Sequence, residues 1–142
     1  MKVSNTISFE NTYATKLKEI CETCSPTSFS DSEILLKNYD LGLELGMDKV
    51  FLDSQECLDI FSGCVVSDSS VPISQAYSGH QYGNFNPQMG DGRAILLGEI
   101  NKKDIQLKGS GQTPYSKRGD GKSALGPVLR EYVISEFMHK IN

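Results

Sequence analysis

Apolar and polar positions along this chain show little periodicity over residues 1–30 and a clear one from residue 90 onward. In the first part, Thr15 to Cys21 fits one short helix, and Ser25-Pro26-Thr27 interrupts the chain. Ile34-Leu35-Leu36 predicts a short strand. Tyr39 to Leu45 predicts a short helix closed by Gly46, since glycine tolerates the left-handed conformation past a helix end. Asp53 or Ser54 can cap a second helix, Gln55 to Phe61, whose Cys57, Leu58 and Phe61 share a face and which Gly63 would end. Ala94 to Ile100 and Asp104 to Lys108 are the clearest strands, and their short connection predicts an antiparallel hairpin. The last helix starts between Ser123 and Pro127 and runs to the end, with Leu125, Val128, Leu129, Tyr132 and Val133 on helical spacing.

Glycine use changes the reading of the second half. Ten of the 13 glycines lie between Gly79 and Gly126, which implies backbone that is tightly bent or closely approached by something. Charge shifts in the same region. The net charge is -4, yet residues 101–122 carry six Lys/Arg against two Asp/Glu. Cations around a glycine-rich loop favour an anion site over a merely solvated face.

The order of parts from Gly90 to Glu131 gives that anion an identity. A turn Gly90-Asp91-Gly92-Arg93 is followed by two strands, the second ending in Lys108, then by a loop rich in glycine and a helix carrying Glu131. Kinase-like folds use this order to hold a nucleoside triphosphate. Glycines let backbone N–H groups approach phosphate oxygens, Arg93 can grip phosphate with two prongs, and Lys108 supplies a point charge. A helix carboxylate would then hold the lysine. On the helical wheel Glu136 lies near the middle of the Leu125, Leu129 and Tyr132 face while Glu131 lies to one side, so periodicity leaves both as candidates.

Two other motifs carry less. Gly121-Lys122-Ser123 resembles the end of a P-loop, but the required first glycine falls at Ser116 and no apolar strand precedes it. Cys21 and Cys24 form one Cys-x-x-Cys, yet Cys57, Cys64, His80 and His139 are not spaced to complete a zinc site, so reduced thiols are expected.

At 142 residues the chain suits one ordinary domain. Its 38% apolar and 23% charged residues suit a soluble globular protein. No apolar run approaches the roughly 18 residues that span a bilayer, so a membrane protein is excluded. The N-terminus lacks the features of a secretory or transit signal, which predicts a cytoplasmic location.

The stretches Gln75 to Glu99, Asp104 to Ser116, and Arg118-Gly119-Asp120-Gly121 through Leu125-Gly126-Pro127-Val128-Leu129-Arg130-Glu131-Tyr132 closely resemble the selenoprotein O (SelO, YdiU) family. A looser likeness reaches back to Asn11-Thr12-Tyr13-Ala14. The resemblance implies a kinase-like fold that binds ATP in a flipped orientation and transfers AMP to Ser, Thr or Tyr hydroxyls of proteins. It implies ATP contacts at Gly90, Gly92, Arg93, Lys108, Asp120 and Gly121, and it makes Glu131, not Glu136, the partner of Lys108. The family's catalytic aspartate, its magnesium ligands and two further phosphate-binding arginines lie in a region that this chain does not contain. With Mg2+ ligands elsewhere, these residues alone are expected to be inactive or nearly so.

These readings predict an α+β fold: a kinase-like N-terminal lobe over residues 75–142, built from a Gly-rich antiparallel hairpin and an αC-type helix, behind a short-helix extension over residues 1–74. ATP and protein hydroxyls are the expected partners, with no nucleic acid and no membrane. Because the chain stops at Asn142 with nothing to cover the last helix, an incomplete protein is expected. The rival expectation is a truncated, catalytically inactive remnant that binds nucleotide.

Overall fold

The structure, a computed structural model, describes residues 7–141. It is an α+β fold with an antiparallel, five-stranded sheet. In chain order come α1 (Thr12–Lys16), β1 (Cys21–Thr23), α2 (Tyr39–Glu44), α3 (Lys49–Leu52) and α4 (Gln55–Phe61). Then follow β2 (Ile73–Gln81), β3 (Asn84–Gly90), β4 (Ala94–Ile100), β5 (Lys103–Lys108) and α5 (Leu125–Ile141).

The sheet runs β1-β2-β4-β5, with β3 folded back on β2. Strand β2 does two jobs. Its first residues lie between β1 and β4, with Cys21 opposite Gln75 and Ile73 opposite Leu96. Its second half leaves the sheet as a hairpin with β3, turned by Tyr82 and Gly83, both in the left-handed region at φ 53° and 77°. The β4–β5 connection is tighter than the spacing predicts. Asn101 (φ 50°) and Lys102 (φ 64°) alone make the turn, so β5 begins at Lys103. Two successive left-handed residues match the right-handed twist of the strands they join.

Strand β4 is buried at every position. One core joins Phe9, Leu45, Met47, Phe51, Leu52, Cys57 and Ile60 from the N-terminal half to Leu97, Ile100 and Leu107 of the hairpin. Burying such side chains contributes roughly 1.5–3 kcal/mol each, which is why short helices of four to seven residues persist here. Their caps help: Asn38, Asp48 and Ser54 accept from the N–H of Leu41, Phe51 and Cys57. Glu99 serves as a cap from a distance. Its carboxylate, on β4, accepts the N–H groups of Thr12 and Tyr13 at 2.9 and 3.1 Å and so starts α1.

Three expectations change. Ile34-Leu35-Leu36 forms no strand; its backbone finds no pairing partner, and its side chains instead line a cleft beside α5. The helix expected at Thr15 to Cys21 is split into α1, a 3-10 turn at Lys18–Ile20 and β1, because Cys21–Thr23 pairs with β2. On α4 the buried residues are Cys57 and Ile60, with Leu58 and Phe61 only partly covered.

Candidate functional site

The anion-binding candidates gather at one end of the sheet. Lys108 ends β5 opposite Ala94, the first residue of β4. The Gly109 N–H donates to the Arg93 carbonyl at 2.7 Å, so the backbone of Arg93, just before β4, lies beside that of Gly109, just after Lys108. Arg93 is exposed. The Lys108 ammonium pairs with the Glu131 carboxylate on α5, and both side chains keep contact with solvent. Glu136, the other candidate, turns away from the lysine and accepts from the Asn38 amide at 2.7 Å.

The loop between β5 and α5 is a packed element. The Thr113 hydroxyl donates to the Asp91 carbonyl and the Ser116 hydroxyl to the Gly92 carbonyl, each at 2.6 Å, binding the loop to the Gly90–Arg93 turn. The Gln112 amide donates to the Gly119 carbonyl at 2.8 Å. Two glycines are required by this packing. At Gly90 a Cβ would stand 2.2 Å from the Tyr115 ring, which lies against the bare backbone. At Gly121 (φ +70°) a Cβ would stand 1.8 Å from the Gly111 carbonyl oxygen. The close approach implied by so many glycines is thus, at these two positions, an approach by the chain itself.

Asp120 is exposed next to Gly121, and one of its carboxylate oxygens accepts from the Lys122 N–H at 3.0 Å. Gly109 and Ser123 lie in contact, which brings the 120–123 segment beside Lys108. The Ser123 hydroxyl is buried there without a protein partner. Lys122 sits over the Phe29 ring, 5.4 Å from its centroid, and α5 begins two residues after Ser123, unlike a P-loop that leads straight into its helix.

Asp91 has a raised pKa. Burial pushes it up, against hydrogen bonds with the Gln75 backbone and the Gln106 side chain. Burial also pushes up the thiols of Cys21 and Cys24, which disfavours the thiolate that metal binding and redox chemistry need. Among the described residues no group of three His, Cys, Asp or Glu could hold a metal ion.

The donor set fits the phosphates of a nucleotide: Arg93 and Lys108, carried by the paired ends of β4 and β5, and a hydroxyl without a protein partner at Ser123, which packs on Gly109. It does not fit magnesium, since no cluster of carboxylates accompanies them among the described residues. The roles of Asn38, Thr113, Tyr115 and Ser116 escape the sequence pattern. Asn38, placed just before a helix, carries a capping signal; the other three act through contacts with a distant turn that no local spacing reveals.

A family model described as protein adenylyltransferase SelO matches residues 3–142. A relative from Methylorubrum populi, named protein nucleotidyltransferase YdiU, is 49% identical over 94% of this chain. Relatives of the same name from Rhodopseudomonas palustris and Anoxybacillus flavithermus are 50% and 49% identical over 92% and 94% of it. The chain spans about 28% of the length of each of these relatives.

Proposed function

The chain belongs to the SelO family, and from that premise we propose that it is the ATP-holding part of a protein adenylyltransferase, with the fold of a kinase-like N-terminal lobe. In this reading AMP passes from ATP to a Ser, Thr or Tyr hydroxyl of a protein. The acceptor hydroxyl loses its proton to solvent as its oxygen bonds to the α-phosphorus, the bond from that phosphorus to the oxygen it shares with the β-phosphate breaks, and pyrophosphate leaves. The observation that carries the proposal is the Lys108–Glu131 ion pair at the end of the sheet where the Gly109 N–H meets the Arg93 carbonyl.

Each residue then has a part. Lys108 offsets charge on the phosphate chain, and Glu131 keeps its ammonium from swinging into solvent. Arg93 grips phosphate oxygens with its fork. Gly90, Gly92, Asp120 and Gly121 shape the backbone against which the nucleotide lies, held by Thr113, Tyr115 and Ser116. Magnesium bound to the triphosphate would neutralise charge on the leaving pyrophosphate; its ligands are not supplied by the described residues of this chain.

ATP labelled on the α-phosphate, compared with ATP labelled on the γ-phosphate, tests the reading in the protein that contains this chain. Label reaching protein from the α position alone supports it. Transfer of γ label alone would replace it with phosphoryl transfer, and nucleotide binding without any transfer would favour the inactive remnant.

A further inference from the structure

We propose that Asn38 is a positioning residue for the nucleotide site: acting through Glu136, it holds α5 at the rotation at which Glu131 reaches Lys108. This rests on the reading of Lys108 as the phosphate-binding lysine.

Helix α5 needs such a tether. None of its residues is buried. A cleft of about 660 Å3, lined by Leu125, Val128, Leu129 and Tyr132 on one side and by Leu41 and Leu45 among others on the opposite side, separates it from the body of the protein. Close packing therefore does not fix its orientation. Among the described residues, two side-chain hydrogen bonds join α5 to the rest of the chain, Lys108 to Glu131 and Asn38 to Glu136. Glu131 and Glu136 are five residues apart, so on the helix they point about 140° apart and lie about 7.5 Å apart along its axis. Two ties so placed set rotation and height together. With either released, the helix can turn about the other.

Asn38 is built to be the fixed end. Its side-chain oxygen is committed to the Leu41 N–H at 3.0 Å, which leaves only the NH2 to face α5, and the Glu136 carboxylate can only accept. Both neighbours of Asn38 are anchored to the end of α3. Lys37 donates to the Leu52 carbonyl and the Asp53 carboxylate, and the Tyr39 hydroxyl donates to Asp53. Those bonds hold Asp53 below the usual carboxylate range, first through Tyr39 and then through Lys37. The simpler view, that Asn38 only caps α2, makes a different prediction.

Asn38→Asp separates the two. Aspartate caps a helix as well as asparagine does, so α2 is preserved while two carboxylates now face each other. Glu136→Gln added to it restores a donor and an acceptor with the polarity reversed. For this chain, ATP binding and amide hydrogen exchange along α5 are measured in both variants. The proposal expects Asn38→Asp to weaken ATP binding by about tenfold, the order of one lost hydrogen bond plus repulsion, and to speed exchange in α5 without speeding it in α2. The double variant returns both to within about twofold of the starting protein. Unchanged binding and exchange in Asn38→Asp, or a double variant no better than the single, would overturn it. Should the unaltered chain bind no ATP, the nucleotide reading fails on its own, and exchange in α5 still decides whether Asn38 holds the helix.

Discussion

Lys108 and Glu131, 23 residues apart in sequence, form an ion pair that joins the end of β5 to α5. Both side chains are more than a third exposed, at 39% and 57%, so the pair contributes little to stability, roughly 0–1 kcal/mol. Its value is in fixing where the Lys108 cation stands. Lys108→Ala should therefore shift the melting temperature by no more than about 3 °C while weakening ATP binding by at least about tenfold. Glu131→Gln should leave the fold equally intact and weaken binding less, because the charge on Lys108 remains. Titration with nucleotide alongside thermal melting checks both. A melting temperature that collapses in Lys108→Ala would make the lysine a structural residue.

The loop glycines differ in what they guard. Gly121→Ala puts a methyl group 1.8 Å from the Gly111 carbonyl oxygen at φ +70°, and should cost at least about 2 kcal/mol. Gly83→Ala, at φ +77° with nothing within 4 Å, should cost only about 1 kcal/mol, the penalty of the left-handed backbone alone. Denaturant unfolding of the two variants measures the contrast. Equal losses would mean that the loop relaxes around Gly121.

Asp91 should make stability pH-dependent. Burial raises its pKa in the folded state above the ordinary value. It therefore favours folding most below the unfolded pKa of about 4, and that contribution is lost as pH rises through the raised pKa. Asp91→Asn keeps an oxygen to accept from Gln106, which bonds Asp91 at 3.1 Å, but cannot ionise. The stability of the unaltered protein relative to Asp91→Asn should fall as pH is raised from about 3.5 to 6. A difference that does not vary with pH would show that burial does not raise the carboxyl's pKa.

Ser54 gives a local test of the small helices. Its hydroxyl accepts from the Cys57 N–H at 3.1 Å at the start of α4, a helix that places Cys57 and Ile60 in the core. Ser54→Ala should cost about 1 kcal/mol, measured by chemical denaturation, with nucleotide binding unaltered.

What the sequence made legible follows from how local each cause is. The α4 cap and the Gly46 and Gly63 helix ends, left-handed at φ +87° and +81°, depend on neighbours a few residues away, and their signals are plain. So does the β4–β5 hairpin. The β2–β3 hairpin was hidden because its strands, from Ile73 to Gly90, are rich in Gly, Asn and Gln and largely exposed, so no alternation of apolar residues marks them. Ile34-Leu35-Leu36 misled because a strand needs a pairing partner as well as apolar residues. At the site, order along the chain pointed to Lys108 and a helix carboxylate, while periodicity left Glu131 and Glu136 open. That choice depends on how α5 is rotated, and its contact with Asn38 comes from a residue about a hundred positions earlier, beyond the reach of any local pattern.

Whether the sheet end bearing Arg93 and Lys108 holds ATP is read from equilibrium binding of ATP to this chain, with and without Lys108→Ala. Saturable binding of about one nucleotide per chain, weakened at least about tenfold by Lys108→Ala, is expected. Binding that is the same with and without Lys108, or none to a chain that is demonstrably folded, would contradict it.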